Sequence, residues 1–277
     1  GHVWNGHQTL GHVTTRVTGS GAAGIDDSHA TRVAAAMGGR RTPESGVIYP
    51  DDLRAWGIAY NAQMWSGAIA TTLSSDGTFN ATNSSVASTY RAIILDGVGG
   101  QTADVINSSW VFDDQGGTNV WTRGVDGLIN ATEAVVVLSA GNYGPGSNTV
   151  RGNGAGYNSI TVAALAFGSS SNPYTSVANF SSRGPNDFAM ATGMTSWTTI
   201  AGVRAAVDIA APGQTLTLAT LNSQSNPTAY STNSAGTSFA APLIAGGASL
   251  IVDAGKQLYG GNSAAIDGRI VKAALLN

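Results

Sequence analysis

The stretch Gly236-Thr237-Ser238-Phe239-Ala240-Ala241-Pro242 opens an apolar run that continues to Val252. Interrupted by Pro242, Gly246, Gly247 and Ser249, the run is too short to span a bilayer and predicts a buried helix. Ser238 falls on its first turn, where backbone N–H groups lack intrahelical partners and the helix dipole adds positive potential. Both would stabilise an oxyanion forming beside the hydroxyl. Pro242 is read as part of the start of the helix, where no N–H donor is needed. A lone serine in such a place is more often only a helix cap. The neighbouring residues argue for more.

Two other segments occur in a telling order. Asp26-Asp27-Ser28-His29-Ala30-Thr31-Arg32-Val33-Ala34 precedes a glycine pair, and Val137-Leu138-Ser139-Ala140-Gly141-Asn142 runs from an apolar strand into a turn. Together with the serine segment they resemble the subtilases, the subtilisin-like serine peptidases. The first is similar to the histidine motif D-x-H-G-T-H-V-A, and the second to the strand and turn carrying the oxyanion asparagine. The serine segment is similar to G-T-S-M-A-x-P. Weaker resemblances lie at Gly57–Ala62, Val105–Ser109, Phe180–Gly184 and Ala211–Gly213, so the likeness covers nearly the whole chain.

Composition sets outer bounds. The chain has 277 residues, 42% of them hydrophobic, enough for a substantial core in one large domain, and no linker, repeat or charge block interrupts it. Charged residues are only 10%, replaced by Gly, Ser, Thr and Asn, as in a compact, loop-rich secreted protein. The net charge of −3 argues against nucleic acid or an anionic membrane as partner. With no cysteine, disulfides and thiolate metal sites are excluded. The expected setting is secreted or extracytoplasmic and bacterial, the expected state a monomer, and the expected partner a peptide or protein substrate. The chain starts inside what reads as a strand, which suggests a trimmed or matured single domain over residues 1–277.

Short apolar β-branched runs at Asp104–Ser109 and Ala134–Ala140 read as strands buried on both faces, joined by a helix over Trp121–Thr132. Ser28–Met37 reads as a helix ended by Gly38 and Gly39, Val86–Leu95 as another, and Ala264–Leu276 as a closing amphipathic helix. Further strands are expected at His2–Trp4, Gln63–Ile69, Ile160–Ala164, Ala206–Ala210 and Thr228–Thr232, and a surface loop at Thr71–Ser85. This alternation predicts an α/β fold: three layers, a mostly parallel doubly wound sheet with helices on both faces. Asn5, Ser109 and Asn142 all follow strands, on the edge where such sheets place their sites.

The resemblance implies roles residue by residue. Ser238 would be the nucleophile and His29 its base, although a single histidine is more often a surface or capping residue. Asn142 would donate its amide to the oxyanion, while Gly141-Asn142 is also good turn chemistry. Ser108, Ser109, Trp110, Ser139, Ala140 and Gly141 would bind substrate. Trp110 and Val111 would narrow the specificity pocket or pack in the core. The triad carboxylate should end the first strand, and Asn5 stands there. Three readings of that position stay open: a substitution that weakens the triad, a different alignment of a short strand, or a carboxylate before Gly1. Asp26 and Asp27 read as charges at a helix start.

Other features argue less. No cofactor is required. Calcium is conceivable through Glu44, Asp51 and Asp52, but Gly38–Leu53 lacks the family's usual calcium-loop pattern. Sequons at Asn80, Asn83 and Asn130 matter only in a eukaryotic secretory pathway. A lipase or esterase of the α/β-hydrolase type is disfavoured, because Ala240 stands where G-x-S-x-G needs glycine and the histidine precedes the serine. A pseudopeptidase that binds extended peptides remains the rival reading.

Overall fold

A computed structural model describes residues 1–40, 56–74, 78–132, 134–193, 196–260 and 263–277. Glu44, Asp51 and Asp52, the candidate cation ligands, lie outside the described residues. The chain separates into two compact units, residues 1–104 with 217–232, and residues 105–216 with 233–277.

In the first unit, β1 (His2–Val3) lies parallel to β3 (Asp26–Asp27), and β2 (Thr15–Thr18) lies parallel to β4 (Trp65–Ala68). Helix α1 (Ser28–Gly38) follows β3 directly. Asp27 starts it: its carboxylate accepts from Ala30 N–H at 2.7 Å, satisfying one of the first-turn donors. Ala34 and Ala35 of α1 then pack with Val3, Leu10, Val13 and Met64 in a core cluster. Residues Thr71–Ser85, expected as a loop, contain ordered structure instead. β5 (Ala70–Leu73) pairs antiparallel with β6 (Phe79–Ala81), and α2 (Asn83–Arg91) begins at a capping box between Thr82 and Ser85. Their polar, Asn- and Ser-rich composition hid a hairpin and a helix start, which use the same residue types as loops.

The second unit carries the parallel sheet. β7 (Val105–Ser108), β8 (Val135–Ser139), β9 (Ile160–Ser169) and β13 (Ile209–Pro212) run parallel in the spatial order β7-β8-β9-β13, with α3 (Val120–Thr132) connecting the first two. In β8, Val135, Val136, Val137 and Leu138 are each at most 2% exposed. Burial on that scale stabilises by roughly 1.5–3 kcal/mol per side chain, which makes β8 the anchor of the unit. β10 (Asn172–Val177) returns antiparallel on the far half of β9, and β11 (Asn186–Ala191) forms a hairpin with β12 (Trp197–Arg204). β14 (Leu216–Ala219) pairs with β15 (Tyr230–Ser234), and most of both strands falls in the 217–232 segment of the first unit.

Helix α4 (Thr237–Leu258) packs along β7, β8, β9 and β13. It is longer than the apolar run alone predicts. By length and composition, with a mean hydropathy of 1.4, it could cross a membrane, yet half of that stretch is buried within the protein. The expected closing helix is broken in two, α5 (Ser263–Ile266) and α6 (Gly268–Leu276), because Asp267 caps the second segment by accepting from Arg269 N–H at 2.8 Å.

Candidate active site

Ser238 is the second residue of α4 and half-buried. The preceding Gly236 has φ 150° and ψ 150°, a conformation essentially confined to glycine. Pro242 is the sixth residue of the helix, not part of its first turn, so its missing N–H leaves the Ser238 carbonyl without its helical donor. Ser109 fills the gap. Its Oγ donates to the Ser238 carbonyl at 2.8 Å, and Asn107 Nδ2 donates to that same Oγ at 2.9 Å. In return Ser238 Oγ reaches the Ser109 carbonyl at 3.4 Å. The end of β7 is thereby stitched to the start of α4.

Asn142, exposed on the turn after β8, is oriented by Thr237. Its Oδ1 accepts from both the backbone N–H and the hydroxyl of Thr237, each at 3.0 Å. A backbone N–H can only donate, so the amide is fixed with oxygen toward Thr237 and Nδ2 turned away. A Cβ placed on Gly236 would lie 3.6 Å from Asn142 Nδ2 and 3.7 Å from the backbone nitrogen of Ser238. Two donors therefore border one small space that only glycine leaves open.

The turn itself is braced by residues whose importance the sequence did not reveal. Gly141 N–H donates to Thr237 Oγ1 at 3.2 Å, Ser182 N–H to the Gly141 carbonyl at 2.9 Å, and Tyr143 N–H to Ser182 Oγ at 3.1 Å. Ser139, Ala140 and Gly141 are buried, as is Ser108 at the end of β7. Trp110 is half-buried, its ring 5.8 Å from that of Phe112. Thr237 and Ser182 stand inside segments that already carry the resemblance, but nothing in their residue type announces a bracing role.

In the first unit, His29 is the second residue of α1 and half-buried. Burial holds its pKa below the ordinary histidine value; Asp27 pulls upward and Arg32 adds to the lowering. Between β1 and Asn5, the Trp4 N–H donates to Thr31 Oγ1 at 3.0 Å, so the segment after the strand is tied to the same helix that carries His29. The Asn5 amide donates from Nδ2 to the Val13 carbonyl at 3.2 Å. A carboxylate could not make that bond. Among the described residues no group of three His, Cys, Asp or Glu side chains could hold a metal ion.

A model of the subtilase family matches residues 12–277, a span that includes His29, Asn142 and Ser238 in order and stops short of Asn5. The chain belongs to the subtilase family. It is a subtilisin-like serine peptidase by family, with the family's α/β fold of a parallel sheet flanked by helices. Among solved structures, this subtilase is similar to Sphericase, at 22% identity and a TM-score of 0.68 over 99% of this chain and 79% of that one. It is similar to the prenylagaramide maturation protease PagA at 19% identity and a TM-score of 0.65, over 99% and 78% of the two chains. A cold-adapted subtilisin-like serine proteinase gives 21% and 0.62 over 98% and 77%. No curated protein sequence matches this subtilase.

Proposed function

We propose that this subtilase is an endopeptidase in which Ser238 attacks the peptide carbonyl and His29 takes its proton. The developing oxyanion accepts from Asn142 Nδ2 and from the Ser238 N–H at the positive end of α4. The observation that carries this reading is the Asn142–Thr237 pair, which turns the amide nitrogen toward the space beside Gly236 and Ser238. An extended peptide binds along Ser108, Ser109 and Trp110 on one side and Ser139, Ala140 and Gly141 on the other. The chemistry needs no cofactor.

Asn5 occupies the place of the triad carboxylate in this reading. Without a carboxylate to stabilise the imidazolium and fix its tautomer, turnover is impaired, by about 10⁴-fold on the example of one serine peptidase with this exchange. The Asn5–Val13 bond favours a second reading, a pseudopeptidase that binds extended peptides without cleaving them, because it engages the amide with backbone.

A fluorophosphonate probe followed by peptide mapping tests the nucleophile. Modification of Ser238, lost in Ser238→Ala, is the expected result. Labelling of another serine with Ser238 untouched counts against the assignment.

A further inference from the structure

Three segments of the second unit meet around Arg151. Its backbone N–H donates to the Ala140 carbonyl at 3.4 Å, on one of the two proposed substrate-binding segments. The next N–H, of Gly152, donates to the Asp114 carbonyl at 3.0 Å, just past the other. Gly152 has φ 60°, and a Cβ there would meet the Phe112 backbone nitrogen at 2.8 Å, so the chain passes between the two segments with no room for a side chain. The arginine side chain runs across the same gap. Its guanidinium stacks on the Tyr143 ring at 4.3 Å, beside Asn142, and Nη1 bonds Asp113 Oδ1 at 3.0 Å.

The pairing with Asp113 is replaceable. The Asp113 side chain is 84% exposed against 28% for Arg151, and ion pairs with so exposed a partner contribute about 0–1 kcal/mol. Arg151 Nε is buried and has no hydrogen-bond partner among the described residues. Stacking on Tyr143 fixes the plane of the fork, so little further ordering is needed for a second carboxylate. The nearby Asp114 carboxylate does not compete. It already accepts from the N–H groups of Thr118 and Asn119 and from the Thr122 hydroxyl at the start of α3.

We propose that Arg151 is a specificity-determining residue: it selects peptides carrying an acidic side chain on the residue whose carbonyl is attacked, with the substrate carboxylate displacing Asp113 from the guanidinium. This rests on the endopeptidase reading, which places the acyl residue between the Ser109–Trp110 and Ala140–Gly141 segments. A partly buried charge-assisted pair of this type is worth roughly tenfold in affinity.

Calorimetric titration of the full chain with peptides that end in Glu, Gln, Leu or Lys and are otherwise identical reads this without requiring turnover. The Glu-ending peptide should bind about tenfold more tightly than its Gln twin. Arg151→Ala should erase the difference and Asp113→Asn should widen it, since the competing carboxylate is gone. Equal affinity for Glu and Gln in the unaltered protein overturns the proposal, as does a preference that survives in folded Arg151→Ala. Should Arg151→Ala fail to fold, Asp113→Asn decides: an unchanged or narrowed preference sinks the idea. If none of the peptides binds, the peptide-site reading itself fails and takes this proposal with it.

Discussion

Ser109 donates its hydroxyl to the Ser238 carbonyl at 2.8 Å because Pro242, one helical turn further on, has no N–H to offer that carbonyl. An irregularity in α4 is thus converted into a bond between the end of β7 and the proposed nucleophile. The bond holds Ser238 at a set distance from the strand on which a peptide would lie.

The two residues should therefore be energetically coupled. Ser109→Ala leaves the Ser238 carbonyl unpartnered and should cost about 1–3 kcal/mol. Pro242→Ala restores a helical donor, so Ser109→Ala in that background should cost less, with a coupling energy of about 0.5–3 kcal/mol by a double-mutant cycle in urea. Strict additivity would show that the carbonyl finds another partner.

Asn142→Leu should lower turnover by on the order of 10²–10³-fold with little change in substrate binding. Thr237→Val should mimic part of this loss, because it removes one of the two bonds that orient the amide and the acceptor for Gly141 N–H. Initial rates across substrate concentration separate the effects. Unchanged turnover with reduced stability would leave Asn142 a turn residue only.

Asn5→Asp should raise peptide hydrolysis by roughly 10³–10⁴-fold, mainly in turnover. The carboxylate must abandon the Val13 carbonyl, which repels it, and that repulsion favours swinging toward a donor such as the imidazole of His29. The Asn-Gly pair is prone to deamidation, so intact mass must accompany each assay. A folded, mass-verified variant that cleaves nothing would favour the pseudopeptidase.

As the proposed base His29 must be unprotonated to act, and burial lowers its pKa. The acidic limb of kcat/KM for the residual activity of the unaltered chain should then lie below pH 6.5, the ordinary histidine value, and Asn5→Asp, whose carboxylate stabilises the imidazolium, should move it upward. Asp27 raises this pKa, so Asp27→Asn should move the limb down while still capping α1 through its side-chain oxygen. A limb that moves upward in Asp27→Asn would contradict the assignment of its cause.

His2 is 2% exposed, with Nδ1 3.0 Å from Ser66 Oγ and Nε2 2.9 Å from Thr18 Oγ1. Burial and Arg16 lower its pKa from 6.5 to about 4. Between those values the unfolded chain holds a proton there that the folded chain does not. Stability present above pH 6.5 is therefore lost as pH falls through that window, by up to about 3 kcal/mol from this group. His2→Gln should flatten the fall in urea midpoint between pH 7 and pH 4.5. An unaltered slope would assign the acid sensitivity to groups other than His2.

Much of the fold was legible because hydrophobic period is a local signal. The half-buried strand at Val105–Ser108, the fully buried one at Val135–Ser139 and the helices starting at Ser28 and Val120 lie within a residue or so of where β-branched runs and spaced apolar positions put them. The β11–β12 hairpin did not announce itself: among its described residues Thr198, Thr199 and Ile200 are exposed, and a strand with little buried face carries no clean alternation. β13 begins three residues later than Ala206, where apolar character alone would start it, because its register is set by pairing Ile209 with Val162.

The sequence by itself determined which residue types could do the chemistry and in what order they occur, because short motifs bind backbone conformation and side chain together. It placed Ser238 at a helix start and His29 just inside another, and it raised the question of Asn5. Only the tertiary structure decided which way the Asn142 amide faces, what satisfies the carbonyl that Pro242 leaves bare, and where Arg151 lies. Each depends on a partner from about eight to nearly 130 residues away, and a contact between separate segments leaves no mark in the local pattern of either one.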